Sequence, residues 1–276
     1  ENILIYFDLD LDQSNYSKLQ FRIFDDGQGI PQNKLIEAMT IGTDSNKGDS
    51  HLGKYGLGMK TASLSQANRL TVISRCNQLV SNMTYDMHEI KMSDKWELTE
   101  QDKDTIKLTI KHESSKLKKM FINHFKSLNY NLKGYFNGIN SFTLVIWDDF
   151  KEIQDELDKR STNRKEQYFD KLKRRIIDYI ELYFHRYLSG ENNIKKIKIN
   201  FNGQILKAND PFCRHEQHTL SSLKNKELKI PYQCEMFDIF RYKEDTKLGY
   251  LGVDEDKCVK IVRYILPTNP TKAGNY

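Results

Sequence analysis

The stretch that decides the fold is FRIFDDGQGIP, Phe21 to Pro31. A run with alternating apolar residues, typical of a β-strand, stops at two aspartates, and two glycines one residue apart then lead into a proline. The pattern places a carboxylate at the end of a strand, beside backbone that no side chain obstructs. Taken alone, it also fits an Asp-Gly turn that has no ligand.

A second informative stretch is HLGKYGLGMKTASLSQA, His51 to Ala67, in which three glycines precede a segment with helical propensity. Glycines allow close backbone approach, and a helix N-terminus offers free N–H groups and a partial positive charge. Such a loop can cradle phosphates, with Lys60 just inside the helix. The spacing is not that of a P-loop, and no strand precedes it as a dinucleotide fold requires. A simple helix-entry turn remains the alternative.

The rest of the chain divides into two blocks. Up to about residue 150, short β-rich runs, ILIYF, LQFRIF, LTVISR, TIKLTI and SFTLVIW, are interspersed with helical runs, QNKLIEAM and TASLSQA. Beyond residue 151 an amphipathic pattern predicts one long helix ending near Gly190, and a hairpin turned at Asn202-Gly203 follows. We therefore expect an α+β protein with several antiparallel strands, divided into residues 1–153 and 154–276.

Composition excludes several classes of protein. The 276 residues include 43 basic and 38 acidic ones, and the net charge of +5 permits a polyanionic partner without demanding one. Four cysteines have neither CxxC spacing nor nearby paired histidines, so no metal site or disulfide framework is predicted. No apolar run approaches the length of a membrane span, and we expect a reduced intracellular compartment, cytoplasmic or, in a eukaryote, nuclear.

Together the two glycine stretches are far more specific than either alone. Asp-x-Gly-x-Gly followed, after a polar segment, by Gly-x-x-Gly-x-Gly with a lysine resembles the GHKL superfamily, which groups gyrase B, the heat-shock chaperone Hsp-ninety, histidine kinases and MutL. The resemblance implies the Bergerat ATP-binding α/β sandwich. It also implies that Asp25 accepts the exocyclic amino hydrogen of adenine, with Gly27 and Gly29 leaving room for the base.

The resemblance extends to two further stretches. IGTDSNKGDS, residues 41–50, corresponds to the ATP lid, although its lysine also fits a solvated loop. SFTLVIWDDF, residues 141–150, resembles the strand that closes the adenine pocket, with Phe142 in place of the usual glycine, although a strand threonine needs no ligand. The nucleotide-binding residues implied are Asp25, Gly27, Gly29, Thr43, Lys47, Gly53, Lys54, Tyr55, Gly56, Leu57, Gly58, Met59, Lys60 and Thr143.

Within the superfamily, the chain is most similar to the MORC and bacterial Hsp-ninety-like ATPases. YGLGMKTAS resembles their Tyr-Gly-x-Gly-Phe-Lys-Ser run, ELYFHRYL the helix that opens their second domain, and INFNGQILKANDPF its Asn-Gly hairpin. This implies that residues 154–276 form a transducer-like α+β domain. The superfamily's first helix, which carries a Glu that activates water and an Asn that holds Mg²⁺, is absent from the sequence given, as is the transducer lysine. Catalytic residues are therefore unassigned.

The function implied is an ATP- and Mg²⁺-dependent homodimeric switch with slow hydrolysis, acting on DNA or a DNA-processing partner, with bacterial defence as one setting. A chaperone-like or scaffolding clamp on polypeptide is the alternative from another class. A histidine kinase catalytic domain is less favoured because no dimerisation helix with a phosphoacceptor histidine is found. No membrane association is expected.

Overall fold

A computed structural model of the chain describes residues 2–11, 17–40, 58–127, 139–150, 152–191, 194–211, 220–221, 237–245, 249–261 and 264–265. Contacts along the chain separate two compact units, Glu1–Lys207 and Ala208–Tyr276. Each unit is described by itself below.

The first unit contains seven strands and eight helices within the described ranges. The strands are β1 (Asn2–Leu11), β2 (Ser17–Asp25), β3 (Ala67–Cys76), β4 (Leu79–Asp86), β5 (Phe142–Phe150), β6 (Lys198–Phe201) and β7 (Gln204–Ile205). The helices are α1 (Gln32–Met39), α2 (Gly58–Gln66), α3 (Met87–Ser93), α4 (Lys103–Met120), α5 (Ile122–Ser127), α6 (Glu152–Asp158), α7 (Thr162–Tyr183) and α8 (His185–Ser189). The helix predicted for QNKLIEAM coincides with α1.

All seven strands form one sheet in the order β4-β3-β5-β2-β1-β6-β7. Every neighbouring pair is antiparallel except β1 and β6, which run parallel. The expected α+β class, with mostly antiparallel strands, is confirmed.

Helices cover both faces of this sheet, because successive residues of a strand point to opposite sides. On one face, α4 packs through Ile106, Ile110 and Leu117 against a cluster that includes Phe24 and Leu144. On the opposite face, one apolar cluster forms around the side chains of α1 and another around those of α7 and α8. The first consists of Leu35, Met39, Leu70, Val72, Met83, Tyr85 and Ile90, and the second includes Ile5, Phe7, Leu19, Phe169 and Leu188. The end of β2 therefore lies between two sets of helices.

The β-rich interpretation of TIKLTI was wrong, since this run lies inside helix α4. Ile106 and Ile110 are four residues apart, and both are buried against the sheet. Asp102 caps the helix by accepting from the backbone N–H groups of Asp104 at 3.0 Å and Thr105 at 2.9 Å. Helical spacing and a cap outweigh the β-branched composition of the short run.

A buried ion pair fixes α4 to the sheet. Arg22 of β2 is only 4% exposed, and it contacts Glu113 of α4 at 3.0 Å and Asp148 of β5 at 2.9 Å. Burial by itself would lower the pKa of Arg22, but the two adjacent carboxylates outweigh it and hold that pKa above its ordinary value. The pair holds β2, β5 and α4 together three residues before Asp25.

The region after residue 151, in which one long helix was predicted, forms the three helices α6, α7 and α8. Helix α7 ends at Tyr183, and the short α8 ends at Ser189, where it is capped by Gly190, whose φ of 78° is the left-handed value that favours glycine. Phe169 is buried in the α7 cluster as its periodicity predicts, whereas Tyr183 is 71% exposed.

The hairpin at Asn202-Gly203 is confirmed, with φ angles of 47° and 89° at the two turn residues. Its first strand, β6, pairs with β1. The side chain of Asn202 extends this pairing, because it accepts from the N–H of Phe7 at 2.8 Å and donates to the carbonyl of Phe7 at 2.5 Å. The hairpin and α7 thus belong to the first compact unit, although composition placed the boundary at 153/154.

The second unit contains two antiparallel strand pairs among its described residues. Strand β8 (Leu220–Ser221) pairs with β11 (Tyr264–Ile265), and β9 (Phe237–Asp245) pairs with β10 (Gly249–Ile261). The assignment of residues 154–276 as a transducer-like domain stays a prediction.

Candidate functional site

Asp25 is the last residue of β2, and its side chain shapes the turn that follows. Its Oδ1 accepts from the backbone N–H of Gly27 at 2.9 Å, an Asx turn that bends the chain immediately after the strand. The neighbouring Asp26 instead contacts β1, where its carboxylate accepts from the N–H of Asn2 at 2.7 Å and from its side-chain amide at 2.5 Å. The two adjacent aspartates therefore have different structural environments.

Two hydroxyl groups lie beside Asp25 on neighbouring strands. Asp25 is paired with Thr143 of β5, and Thr143 is paired with Ser74 of β3. Side chains opposite each other in an antiparallel pair share a face, and Oγ of Ser74 lies 3.3 Å from Oγ1 of Thr143. The structure thus brings one carboxylate and two hydroxyls together on the face that α1 and α7 flank.

Ser74 was not singled out from the sequence. It is fully buried, its Oγ accepts from the N–H of Ile30 at 2.7 Å, and it donates to the carbonyl of Phe142 at 3.0 Å. A signal in the sequence could have revealed Ser74. It follows Val72 by two residues in β3, so its side chain lies on the same face of the sheet as the α1 cluster.

Gly29 is required by the fold itself. Its φ is 71°, and a Cβ at this position would lie 1.9 Å from the carbonyl oxygen of Arg75. The turn rests directly on the backbone of β3, and Ser81 of β4 donates to the carbonyl of Ile30 at 3.2 Å. Close packing explains this glycine without any ligand.

Gly58 and Met59 begin helix α2, in a different environment. A Cβ built on Gly58 meets no described atom within 4 Å, and Met59 is 41% exposed. The N–H groups of the first turn of a helix have no intrahelical partner. The start of α2 therefore offers backbone donors in open space, as far as the described residues show.

Lys60 has contacts that the sequence did not predict. The side chain is 1% exposed, and its Nζ donates to the carbonyl oxygens of Ala38 at 2.9 Å and Thr40 at 2.6 Å. Its ammonium thus lies at the C-terminal end of α1. The phosphate contact expected for this lysine stays a prediction.

Seven of the expected site residues, Thr43, Lys47, Gly53, Lys54, Tyr55, Gly56 and Leu57, lie outside the described residues. The lid and the first two glycines of the Gly-rich loop therefore stay predictions. Of the remaining residues, Asp25, Gly27, Gly29 and Thr143 lie around one turn, where Ser141 donates to the carbonyl of Gly27 at 2.6 Å.

A cavity of about 600 Å³ adjoins this turn and is lined by Asp26, Gly27, Gln28, Ser141 and Lys195. Its described lining includes Asp26 rather than Asp25, so it does not mark the face that carries Ser74 and Thr143. In the described ranges, no group of three or more His, Cys, Asp or Glu side chains could hold a metal ion. None of the described helices is both long and apolar enough to span a bilayer.

Comparison with known proteins identifies a family that part of the chain matches and solved structures to which the chain is similar. Residues 1–119 match the family described as histidine kinase-, DNA gyrase B-, and HSP90-like ATPase. The chain is also similar to the ATPase and transducer domains of DNA topoisomerase II from Balamuthia mandrillaris, with 16% sequence identity and a TM-score of 0.39. That alignment covers 75% of this chain and 43% of the other, so this chain spans less than half of that relative's length.

No curated protein matches the sequence. At such low identity and TM-score, the topoisomerase similarity adds no argument about function. The family match covers the Asp25 turn, Ser74 and the start of α2. Residues 1–119 therefore match a GHKL-type ATPase domain, the superfamily that the two glycine stretches resemble.

Proposed function

We propose that this chain binds ATP with Mg²⁺ and works as a nucleotide-gated dimeric switch of the GHKL type. The observation that carries the proposal is the grouping of Asp25, Ser74 and Thr143 on one face of the sheet, beside a turn packed tightly onto β3. One acceptor carboxylate and two hydroxyls, held on adjacent strands, form a rigid polar group at the edge of an otherwise apolar face.

In this proposal Asp25 accepts a hydrogen from the exocyclic amino group of adenine. A hydrogen bond to a charged acceptor contributes about 1.5–3 kcal/mol, and guanine presents a carbonyl oxygen at the same edge. Thr143, which is adjacent on β5, supplies a hydroxyl that accepts or donates. Recognition of the base is thereby separated from recognition of the phosphates.

The phosphates would lie at the N-terminus of α2, where Gly58 leaves the backbone accessible. Mg²⁺ would be held largely through the phosphates, as this ion commonly is in nucleotide sites. Hydrolysis, which we propose to be slow, needs a general base that is not among the residues assigned here.

ATP gates the switch if it binds the closed dimer more tightly than the open form, because a ligand shifts an equilibrium only by its differential affinity. We propose DNA or a DNA-processing protein as the partner, in a MORC-like or Hsp-ninety-like setting that includes bacterial defence. The alternative is an ATP-dependent clamp on polypeptide. Binding to duplex DNA that weakens as salt is added would favour the DNA partner over the polypeptide clamp, since contacts with DNA phosphates release counterions.

The test is calorimetric titration of the protein and of Asp25→Asn with ATP and GTP. Asparagine keeps a carbonyl oxygen that can accept from Gly27, so the turn survives, whereas the charged acceptor is lost. We expect ATP affinity to fall about tenfold or more, and the preference for ATP over GTP to shrink.

Asp26→Asn is the matched control, because it removes the neighbouring carboxylate, which contacts Asn2 of β1. It should leave ATP affinity unchanged. Equal ATP affinity in the natural protein and in a folded Asp25→Asn variant contradicts the proposed site. Light scattering with a non-hydrolysable ATP analogue tests the gating, since a mass that is the same without nucleotide, with ADP and with the analogue argues for a static binding module.

A further inference from the structure

Lys60 is among the most deeply buried charged side chains in the described part of the protein, at 1% exposure. A buried ammonium is costly unless polar groups replace its water. Here the carbonyl oxygens of Ala38 and Thr40 do so, at 2.9 Å and 2.6 Å. Both distances are those of strong hydrogen bonds to a charged donor.

These acceptors belong to the end of helix α1. The last carbonyls of a helix lack intrahelical partners and carry the negative end of the helix dipole, so a cation is favourable there. Between them, the carbonyl of Met39 accepts from the buried hydroxyl of Tyr85, on β4, at 2.9 Å. Three consecutive carbonyls are thus each bound by a side chain from another element.

We propose that Lys60 is a positioning residue, which fixes the N-terminus of α2 against the C-terminus of α1 and supports nucleotide binding through that contact rather than by touching a phosphate. The inference rests on the proposed function for its effect on nucleotide, but the contact itself does not.

The geometry gives this contact a definite role. Thr40 is the residue before the stretch 41–57, and Gly58 is the residue after it. Lys60 therefore holds the two attachment points of that stretch at a fixed separation, whatever its conformation. Holding α2 against the end of α1 keeps the first turn of α2 aimed at one place, and such preorganisation favours binding.

The two possible roles of Lys60, contact with a phosphate and positioning of α2, differ in how its replacement changes the stability of the unliganded protein. If Lys60 serves mainly to contact phosphate, removing its ammonium relieves a desolvation cost, and the unliganded protein is no less stable. If it caps α1, removal deprives the carbonyls of Ala38 and Thr40 of the charged donor that they bind, and the unliganded protein is less stable. Direct charge contact also makes ATP affinity more sensitive to salt, whereas positioning does not.

The experiment compares Lys60→Met, which keeps an unbranched side chain of similar length, with Lys34→Met, an exposed lysine on α1 whose side chain is 62% exposed. Thermal unfolding without nucleotide and ATP titration at several salt concentrations, well below the melting temperature, are measured for both. We expect Lys60→Met to lower the unliganded Tm by about 4 °C or more. Its ATP affinity should fall about tenfold, a loss of about 1.4 kcal/mol, with an unchanged salt dependence.

A lowered Tm with unchanged ATP affinity would leave Lys60 a purely structural cap and overturn the proposal. An unchanged or raised Tm with weaker, less salt-dependent ATP binding would overturn it in favour of a phosphate contact. If the natural protein binds no ATP, the proposed function is wrong, and with it the nucleotide effect of Lys60. The Tm comparison then still decides whether the cap exists, and Tyr85→Phe should couple non-additively with Lys60→Met if both secure the end of α1.

Discussion

Gly29 and Gly58 belong to the two glycine stretches, yet they differ in what surrounds them. Gly29 adopts a positive φ, and a Cβ there would lie 1.9 Å from the carbonyl oxygen of Arg75. Gly58 begins a helix, and a Cβ there would meet no described atom within 4 Å. The first glycine is explained by packing of a turn onto a strand. The second glycine meets no such contact within the described residues.

The comparison shows why a glycine motif is not by itself a measure of ligand contact. Asp25 and Ser74 lie next to the turn that Gly29 shapes, so that turn holds in place the carboxylate that we propose binds the base. The start of α2 instead offers its own backbone. We infer that Gly29 holds the turn beside Asp25 in place, whereas Gly58 leaves the first N–H groups of α2 uncovered.

Gly29→Ala should have the largest effect of the substitutions that probe this difference. The new methyl group overlaps backbone rather than a flexible side chain, and alanine is strained at a φ of 71°. We expect a loss of at least about 4 kcal/mol in the free energy of unfolding, or failure to fold. Urea unfolding measures this loss. A near-natural midpoint would show that the turn can move away from β3 and would break the comparison.

Ser74→Ala should have an intermediate effect, because it removes the acceptor of the Ile30 N–H that holds the same turn to β3. A buried donor left without an acceptor costs about 1–3 kcal/mol. Ser81→Ala is the matched control, since the Ser81 hydroxyl donates to the carbonyl of Ile30, and a carbonyl tolerates the loss of a donor better than an N–H tolerates the loss of an acceptor. Equal losses in the two variants, measured by thermal unfolding, would argue that Ser74 does not secure the turn.

Gly58→Val should have the smallest effect on stability. The side chain enters open space at the start of a helix, where the change in intrinsic propensity is about 1 kcal/mol or less. ATP affinity should nevertheless fall about tenfold or more, because a branched side chain covers the first N–H groups of α2. Unfolding and calorimetry on the same sample separate the two effects. A stability loss as large as that of Gly29→Ala, or unchanged ATP affinity, would remove the distinction between the two glycines.

Much of this architecture could be predicted from local patterns. The alternation from Phe21 to Phe24 predicted β2, the helical run QNKLIEAM predicted α1, and Asn202-Gly203 predicted its hairpin. These features could be predicted because they are determined by residues that are close together in the sequence. The segment TIKLTI was misinterpreted because six residues contain one strand-like alternation, whereas its helical spacing appears only over the full length of α4.

The sequence by itself determined the class of the protein, the order of most elements and the turn that ends β2, since these follow from periodicity and from residues with special backbone preferences. It also indicated Asp25, through a motif whose spacing is local. Tertiary structure alone decided that Ser74 stands beside Asp25 and Thr143, because strand order β3-β5-β2 and its register join residues from distant parts of the chain. It likewise decided that Lys60 binds the end of α1, since the partners of a buried charge depend on which backbone groups the fold leaves unpaired.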